Sequence, residues 1–145
     1  MAGHEARASS LAQDLNKRFL LDTQLQSLWL PAIHAQLALN HKDPASAINS
    51  LQPALPPIEY GQISFVNNLS CLHPAYIRGE GYLAAEQSVP AAAEFQKIPD
   101  HGGMVWNCWT GALVHLGVAR VNALQAKTSD ADAARVRALA AYSIS

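Results

Sequence analysis

The residues best suited to chemistry are six histidines and two cysteines, side chains that often bind metals or act as nucleophiles. His34 and His41 are seven residues apart, about two helical turns, which places them on one face of a helix. Cys71 lies two residues before His73. A structural zinc site needs a closed set of four ligands, and no such set with a recognised spacing occurs here. We therefore predict neither a metal site nor a bound cofactor.

A cysteine beside a histidine can also form a nucleophile–base pair. The candidates are Cys71 with His73 and Cys108 with His115. Such a pair needs a third group that orients the base, and the sequence shows no local signature of one. Two isolated cysteines make no disulfide framework, and free cysteine is among the most buried residue types. We therefore expect both cysteines to be small buried hydrophobes, and we predict that the chain is not an enzyme.

Phosphate-binding chemistry is equally poorly represented. Gly102 and Gly103 are adjacent, but the lysine and serine that follow the glycines of a phosphate-binding loop are absent. We interpret this glycine pair as the end of a helix. The HRD and DFG motifs of protein kinases do not occur in the chain either.

The composition limits the class of protein. The chain has 145 residues, of which 50% are hydrophobic and 14% charged, enough apolar material for the core of one domain. The net charge of −1 gives no electrostatic reason to expect nucleic acid or an anionic membrane as a partner. No run of apolar residues is long enough to span a bilayer. We expect a soluble domain, and its compartment, cytoplasmic or extracytoplasmic, stays open.

The elements that would position these residues are helices. Apolar periodicity and breakers predict helices over residues 5–18, 25–39, 45–51, 64–85 with an interruption at His73–Pro74, 91–98, 110–124 and 131–142. The first is expected to bury Leu11, Leu15 and Phe19, and a helix is expected to begin or kink at Pro31. Turns are expected at 40–44, 53–61, 87–90, 99–103 and 127–130. Val, Ile and Thr never alternate as in a strand, so the predicted class is all-α.

The predicted helices come in pairs within one domain, residues 5–142. A half hairpin at 5–19 precedes hairpins at about 22–55, 64–99 and 109–142. In the middle hairpin, Gly79 is followed three residues later by Tyr82, and Ala91 is followed by Phe95. This arrangement of small and bulky residues is typical of the tetratricopeptide repeat (TPR), in which small residues let two helices cross closely.

The neighbouring hairpins carry the pattern more weakly. Ala35 and Ala47 keep the small positions of the first hairpin, and Gly117 keeps one in the third, where Arg120 replaces the expected aromatic. The spacing is 44 residues from Ala35 to Gly79 (79 − 35) and 38 from Gly79 to Gly117 (117 − 79), against an ideal period of about 34. A generic helical bundle with chance spacing of small residues is the alternative.

Longer stretches extend the likeness. They are residues 15–19 (LNKRF), 29–31 (WLP), 35–39 (AQLAL), 51–54 (LQPA), 78–80 (RGE), 82–84 (YLA) and 93–97 (AEFQK). Over roughly residues 11–124 the chain resembles the C-terminal TPR regions of bacterial, notably acidobacterial, serine/threonine protein kinases. The resemblance implies a short right-handed solenoid of antiparallel hairpins that binds a protein or peptide, within a larger signalling or regulatory protein.

The resemblance also implies a concave groove lined by the first helix of each hairpin. The residues it assigns there are Gln36, Asn40, His73, Tyr76, Glu80, Leu83, Val114, Val118 and Asn122. This mixture would bind through apolar and neutral polar contacts. It lacks the cluster of Lys and Arg that would hold an acidic peptide end.

Two other functions remain open. The segment 5–18 resembles the second helix of a hairpin whose first helix is missing, so an apolar end of the stack would be exposed. Such an end could pair with a second copy, which would make the chain a self-assembly element and a homo-oligomer. A small-molecule-binding helical domain is the third hypothesis, and a deep closed pocket with converging polar groups would favour it.

Overall fold

The computed structural model describes residues 2–54, 70–105 and 107–142, and within them the side chains from His4 to Ala131. The helices are α1 (Ala2–Arg18), α2 (Leu30–Asn40, entered through a π-helical turn at Leu25–Trp29), α3 (Pro44–Ser50), α4 (His73–Ala84), α5 (Ser88–Asp100), α6 (Gly102–Val105) and α7 (Trp109–Tyr142). No strand occurs in these ranges, so the predicted all-α class is confirmed. The predicted connection 55–61 and helix start at 64 lie outside the described residues.

Helix α1 packs antiparallel to α2. The side chain of Gln26 donates to Asn16 at 2.9 Å, while Glu5 lies 3.9 Å from His41 at the opposite end. The buried face of α1 is centred on Ala12, whereas Leu11 and Phe19 are 54% and 48% exposed. The predicted apolar stripe of α1 was therefore placed on the wrong face of the helix. Small alanine side chains let α1 approach α2 closely, and the larger residues beside them turn outward.

The turn between α2 and α3 forms at residues 40–44, as predicted. Asp43 is the N-cap of α3, because its carboxylate accepts a hydrogen bond from the Ser46 backbone N–H at 3.0 Å. Hydrogen bonds from Ser46 hold the pKa of Asp43 below its usual value. Pro44 fits the first turn because its missing N–H would have had no helical partner there. At Pro31, where a helix was expected to begin or kink, α2 begins: it starts at Leu30, directly after the π-helical turn, and Pro31 lies in its first turn.

The boundaries of α5 differ from the prediction of 91–98. The helix begins at Ser88 because Pro90 sits in its first turn, where proline is tolerated. It also continues past Pro99, and His101 closes it by donating its backbone N–H to Lys97 at 3.2 Å. Gly102 and Gly103 follow the end of α5, as expected, and they also begin the short helix α6.

Helix α7 contradicts the predicted third hairpin. It runs unbroken from Trp109 to Tyr142, so the turn expected at 127–130 is wrong. That stretch contains neither glycine nor proline, and Thr128 bonds its hydroxyl to the Leu124 carbonyl at 2.9 Å within the helix. Polar composition alone did not break the helix because alanine-rich flanks support it on both sides.

The helices pack in sequence. The consecutive pairs in contact are α1–α2, α2–α3, α3–α4, α4–α5, α5–α6 and α6–α7, and the more distant pairs α2–α4, α4–α7 and α5–α7 also touch. The described residues form two core clusters. One holds Ala32, Ala35, Ala47, Leu51 and Ile77. The other holds Leu72, Ala75, Ala91, Phe95, Ile98, Val105, Val114 and Val121. Of the predicted repeat positions, Ala35, Ala47, Gly79, Ala91, Phe95 and Gly117 are buried, and Tyr82 is partly buried.

A polar contact joins three helices inside this packing. Arg78 of α4 and Glu94 of α5 form an ion pair at 3.0 Å, with side chains only 11% and 13% exposed. Glu94 also accepts from Lys97 at 2.7 Å, and Arg78 donates to the carbonyl of Leu51 after α3 at 3.4 Å. The buried charges are therefore paired, as burial requires.

In the part of the chain that the structure describes, no helix has the length and apolarity needed to span a bilayer.

Candidate functional site

Helices α1, α2 and α4 form the walls of an open groove of about 360 Å³. Its lining is mostly apolar, with polar groups at the edges. The residues are His4, Glu5 and Ala8 of α1, Ala32, Ile33, Gln36, Leu37 and Asn40 of α2, and His73 of α4. The volume lies at the lower end of the range found for ligand pockets, about 300–1,000 Å³. We call this site the groove.

Three residues predicted to contact a partner meet in the groove: Gln36, Asn40 and His73. Gln36 and Asn40 are one turn apart on α2, and the Gln36 amide donates to the Asn40 side-chain oxygen at 3.2 Å. Among the described residues, the Gln36 oxygen and the Asn40 amino group have no other partner. The pair therefore presents one acceptor and one donor to the solvent, the complement of a peptide group.

An aromatic cluster lies beside the groove. His73 packs edge to face on Trp109 with ring centroids 5.0 Å apart, and Tyr76 does the same at 5.3 Å. Trp109 is 48% exposed, so this cluster is a surface as well as a packing contact. Burial lowers the pKa of His73 below its ordinary value, which favours the neutral ring. The cluster thus offers flat, uncharged faces to a ligand.

Glu80 forms an ion pair within the chain. Arg120 of α7 donates to both of its carboxylate oxygens, at 2.8 and 2.9 Å. Burial raises the pKa of Tyr76, and the charge of Glu80 and a hydrogen bond to it act in the same direction while Arg120 opposes them. Arg120 stands where the repeat pattern has an aromatic residue. It therefore links α7 to α4 and neutralises the charge of Glu80 on the predicted surface.

The remaining predicted contact residues are spread over different environments. Leu83 and Val118 are partly buried against the core, and Asn122 is exposed on α7. Val114 is only 2% exposed and belongs to the core, so its assignment to a binding surface was wrong. The face of α7 that meets α5 includes Val114 and Gly117, because the helix is rotated relative to the expected register.

Several groove residues were not predicted. His4, Glu5 and Ala8 come from α1, which the repeat pattern had treated as a structural half hairpin. Trp109 was not among the residues predicted to border a binding surface. The spacing of Glu5 and Ala8 with the buried Ala12 was a usable signal, since residues three and four apart share a helix face.

The two cysteines are joined. Cys71 and Cys108 form a disulfide with their Cα atoms 5.8 Å apart, and both residues are half-buried. The prediction of two free buried cysteines is therefore wrong. The pair is separated by 37 residues, and only the packing of α7 beside α4 brings the two ends together. Neither sulfur is a thiol in this state, so the nucleophile–base pairs considered with His73 and His115 do not exist here.

The disulfide holds an unusual turn. Cys71 and Leu72 both have left-handed backbones, with φ of 53° and 50°, although neither is glycine. Thr110, fully buried, donates its hydroxyl to the Cys71 carbonyl at 2.7 Å, and the Leu72 N–H donates to the Ser70 hydroxyl oxygen at 3.2 Å. Leu72 is itself buried in the core. This turn leads directly into His73 and so sets where one edge of the groove lies.

The chemistry available in this site is that of binding. Apolar side chains, two amides, an uncharged imidazole and an indole can hold a ligand by packing and neutral hydrogen bonds. Over the ranges that the structure covers, no group of three or more His, Cys, Asp or Glu side chains is placed to hold a metal ion. Searches against protein-family models, curated proteins and solved structures found no match to this chain.

Proposed function

We propose that this chain is a TPR-like helical-repeat module that binds an extended segment of another protein in the groove. The observation that carries the proposal is the groove itself, an apolar cavity over α2 whose edges hold Gln36, Asn40 and His73. The resemblance to kinase-associated repeats supports a place within a larger bacterial signalling or regulatory protein.

The pattern of helix contacts supports a stacked array. Each helix touches the next, and α4 also touches both α2 and α7. The described core residues fall into two clusters, one mainly from α2 and α3 and the other mainly from α4, α5 and α7, which is the order expected of stacked helix pairs. The small residues at close helix contacts, such as Gly79, favour the same arrangement.

The groove chemistry favours a neutral, apolar ligand segment. An aliphatic or aromatic side chain would occupy the cavity above Ala32, Ile33 and Leu37. The amides of Gln36 and Asn40 would pair with a peptide group of the ligand backbone. Among the described residues that line the groove, none is Lys or Arg and one is Glu5, so acidic segments would be disfavoured.

The test is selection of peptides from a random 12-residue display library on the purified chain, followed by affinity measurement. We expect selected peptides to be apolar and weakly charged. Ala8→Trp fills the groove and should weaken binding at least tenfold, while Gln96→Ala on α5 should leave it unchanged. Asn40→Ala, an exposed change, should weaken binding without affecting thermal stability. Selected peptides that bind the Ala8→Trp and Asn40→Ala variants as tightly as the wild-type chain would refute the proposal.

Self-assembly is the second candidate, and one observation favours it. The outward face of α7 carries exposed Ala112, Leu116, Ala119, Ala123 and Ala126, spaced by fours and threes like the seam of a coiled coil. Two copies antiparallel about Ala119 would set Leu116 opposite Ala123, large against small. Light scattering should then show a dimer that Ala119→Glu abolishes. A monomer at every concentration up to the millimolar range would exclude this function.

A further inference from the structure

The disulfide is close in sequence to two aromatic residues in contact, one of which lines the groove. Cys71 lies two residues before His73, which lines the groove, and Cys108 immediately precedes Trp109. His73 and Trp109 are in edge-to-face contact at 5.0 Å. One covalent bond therefore fixes the relative position of two aromatic rings that come from helices far apart in the sequence.

The turn that the disulfide holds is unfavourable by itself. Two successive left-handed residues with side chains, Cys71 and Leu72, are rare because the Cβ atom crowds the backbone. Such conformations persist only where the surroundings over-determine them. Here the restraints are the disulfide, the hydrogen bond from Thr110 and the burial of Leu72. Removing the covalent restraint leaves the turn with a lower-energy alternative.

We propose that the Cys71–Cys108 disulfide is a redox latch on the groove. Reduction frees the turn at Cys71 and Leu72, separates His73 from Trp109 and lowers the affinity of the groove for its ligand. This inference rests on the proposed function, because it assigns a control to the same site.

The covalent step is thiol–disulfide exchange with a dithiol reductant. A thiolate of the reductant attacks one sulfur, the bond between Cys71 and Cys108 breaks, and the departing thiolate takes up a proton. The second thiol of the reductant then resolves the mixed disulfide. The protein gains two electrons and two protons as two thiols, and the reductant leaves as its own disulfide. Both cysteine residues are half-buried, so part of the surface of each residue is exposed to solvent.

The first test needs no ligand. Hydrogen–deuterium exchange of the full chain is compared between the oxidised form, the form reduced with dithiothreitol and the Cys71→Ser/Cys108→Ser double variant. Without the disulfide, we expect the amides of residues 72, 73, 75, 76 and 109–111 to accelerate at least tenfold more than those of residues 32–47, whose smaller change reports the loss of global stability. Unchanged exchange at residues 72–76 would overturn the latch. An increase of the exchange rate by the same factor at residues 32–47 would overturn the latch too, because the disulfide would then stabilise the whole fold equally.

A second measurement separates the latch from the groove. A library-selected peptide is titrated into oxidised and reduced protein, with Thr110→Val as a variant that loses the turn's hydrogen bond but keeps the disulfide. We expect at least fivefold weaker binding to the reduced form and an intermediate effect of Thr110→Val. Equal affinity for both redox forms would overturn the latch while leaving the groove intact. Absence of any selected peptide would instead count against the proposed function, and the exchange result would still decide the latch.

Discussion

Gly79 of α4 lies directly against the aromatic ring of Phe95 of α5. A Cβ atom at Gly79 would stand 2.7 Å from Cε1 of that ring, and one at Gly117 of α7 would stand 2.8 Å from Cζ. The ring therefore sits between two glycines on two different helices. Because Phe95 is fully buried, this contact sets the spacing of α4, α5 and α7.

Substitution of Gly79 should destabilise the fold. Gly79→Ala pushes a methyl group into a ring that cannot leave the core, so we expect a loss of about 1–3 kcal/mol, and a larger loss for Gly79→Leu. Urea unfolding followed by circular dichroism measures it. The matched control is Gly103→Ala in α6, where a Cβ meets open space and the change should be neutral or slightly stabilising. A wild-type midpoint for Gly79→Leu would contradict the helix spacing described above.

The buried ion pair gives a second prediction. Glu94→Gln breaks the ion pair with Arg78 in a mostly buried position, and breaking such a pair typically costs about 3–5 kcal/mol. Asp14→Asn in α1 is the comparison, since its pair with Arg18 is exposed and should contribute about 0–1 kcal/mol. Chemical denaturation measures the loss of stability in each variant. Equal losses would show that the buried pair contributes no more than the exposed one.

Loss of the disulfide should reduce the global stability as well as the local order. For a loop of 37 residues, the chain-entropy model gives roughly 3–4 kcal/mol. Denaturant unfolding of wild-type protein with and without reductant, beside the Cys71→Ser/Cys108→Ser variant, measures this. The reduced protein and the variant should agree. Equal stability of the oxidised and reduced forms would argue that the pair is not joined in solution.

His73 should make the stability depend on pH. Its folded pKa lies below the unfolded value of about 6.5 because burial disfavours the charged ring. The unfolded chain therefore takes up the proton first, so this part of the stability is complete above pH 6.5 and is lost as pH falls from there toward the folded pKa. Glu5 and His4 face His73 across the groove, and Trp109 packs on it.

The measurement is an NMR titration of the His73 ring, with a midpoint expected below 6.5. His73→Gln should remove its share of the acid sensitivity in urea unfolding. A midpoint above 6.5 would mean that the ring is more solvated, or closer to Glu5, than the structure has it.

The helical class and the middle hairpin could be predicted from sequence because they depend on local properties. Alanine and leucine periodicity indicates helices, and Asp43 with Pro44 marks a capped helix start. The spacing of Gly79 and Phe95 predicted a close helix contact, which the structure has. These features need only residues within one hairpin.

The rest depends on contacts between distant segments. The pairing of Cys71 with Cys108 follows from how α7 lies beside α4, and no local pattern carries that information. Val114 was misplaced because periodicity defines a helix face only approximately, and α7 has apolar residues on several sides. The groove on α1 was missed because it forms only when α1 packs on α2.

The most direct test of the central proposal is a map of where a selected peptide binds. Isotope-labelled chain is titrated with the peptide, and NMR signals are followed for the side-chain amides of Gln36 and Asn40 and the indole N–H of Trp109. We predict that these signals shift together and saturate at one ligand per chain, while the Gln96 amide on α5 stays fixed. Shifts centred on Gln96, with the groove signals unmoved, would contradict the proposal.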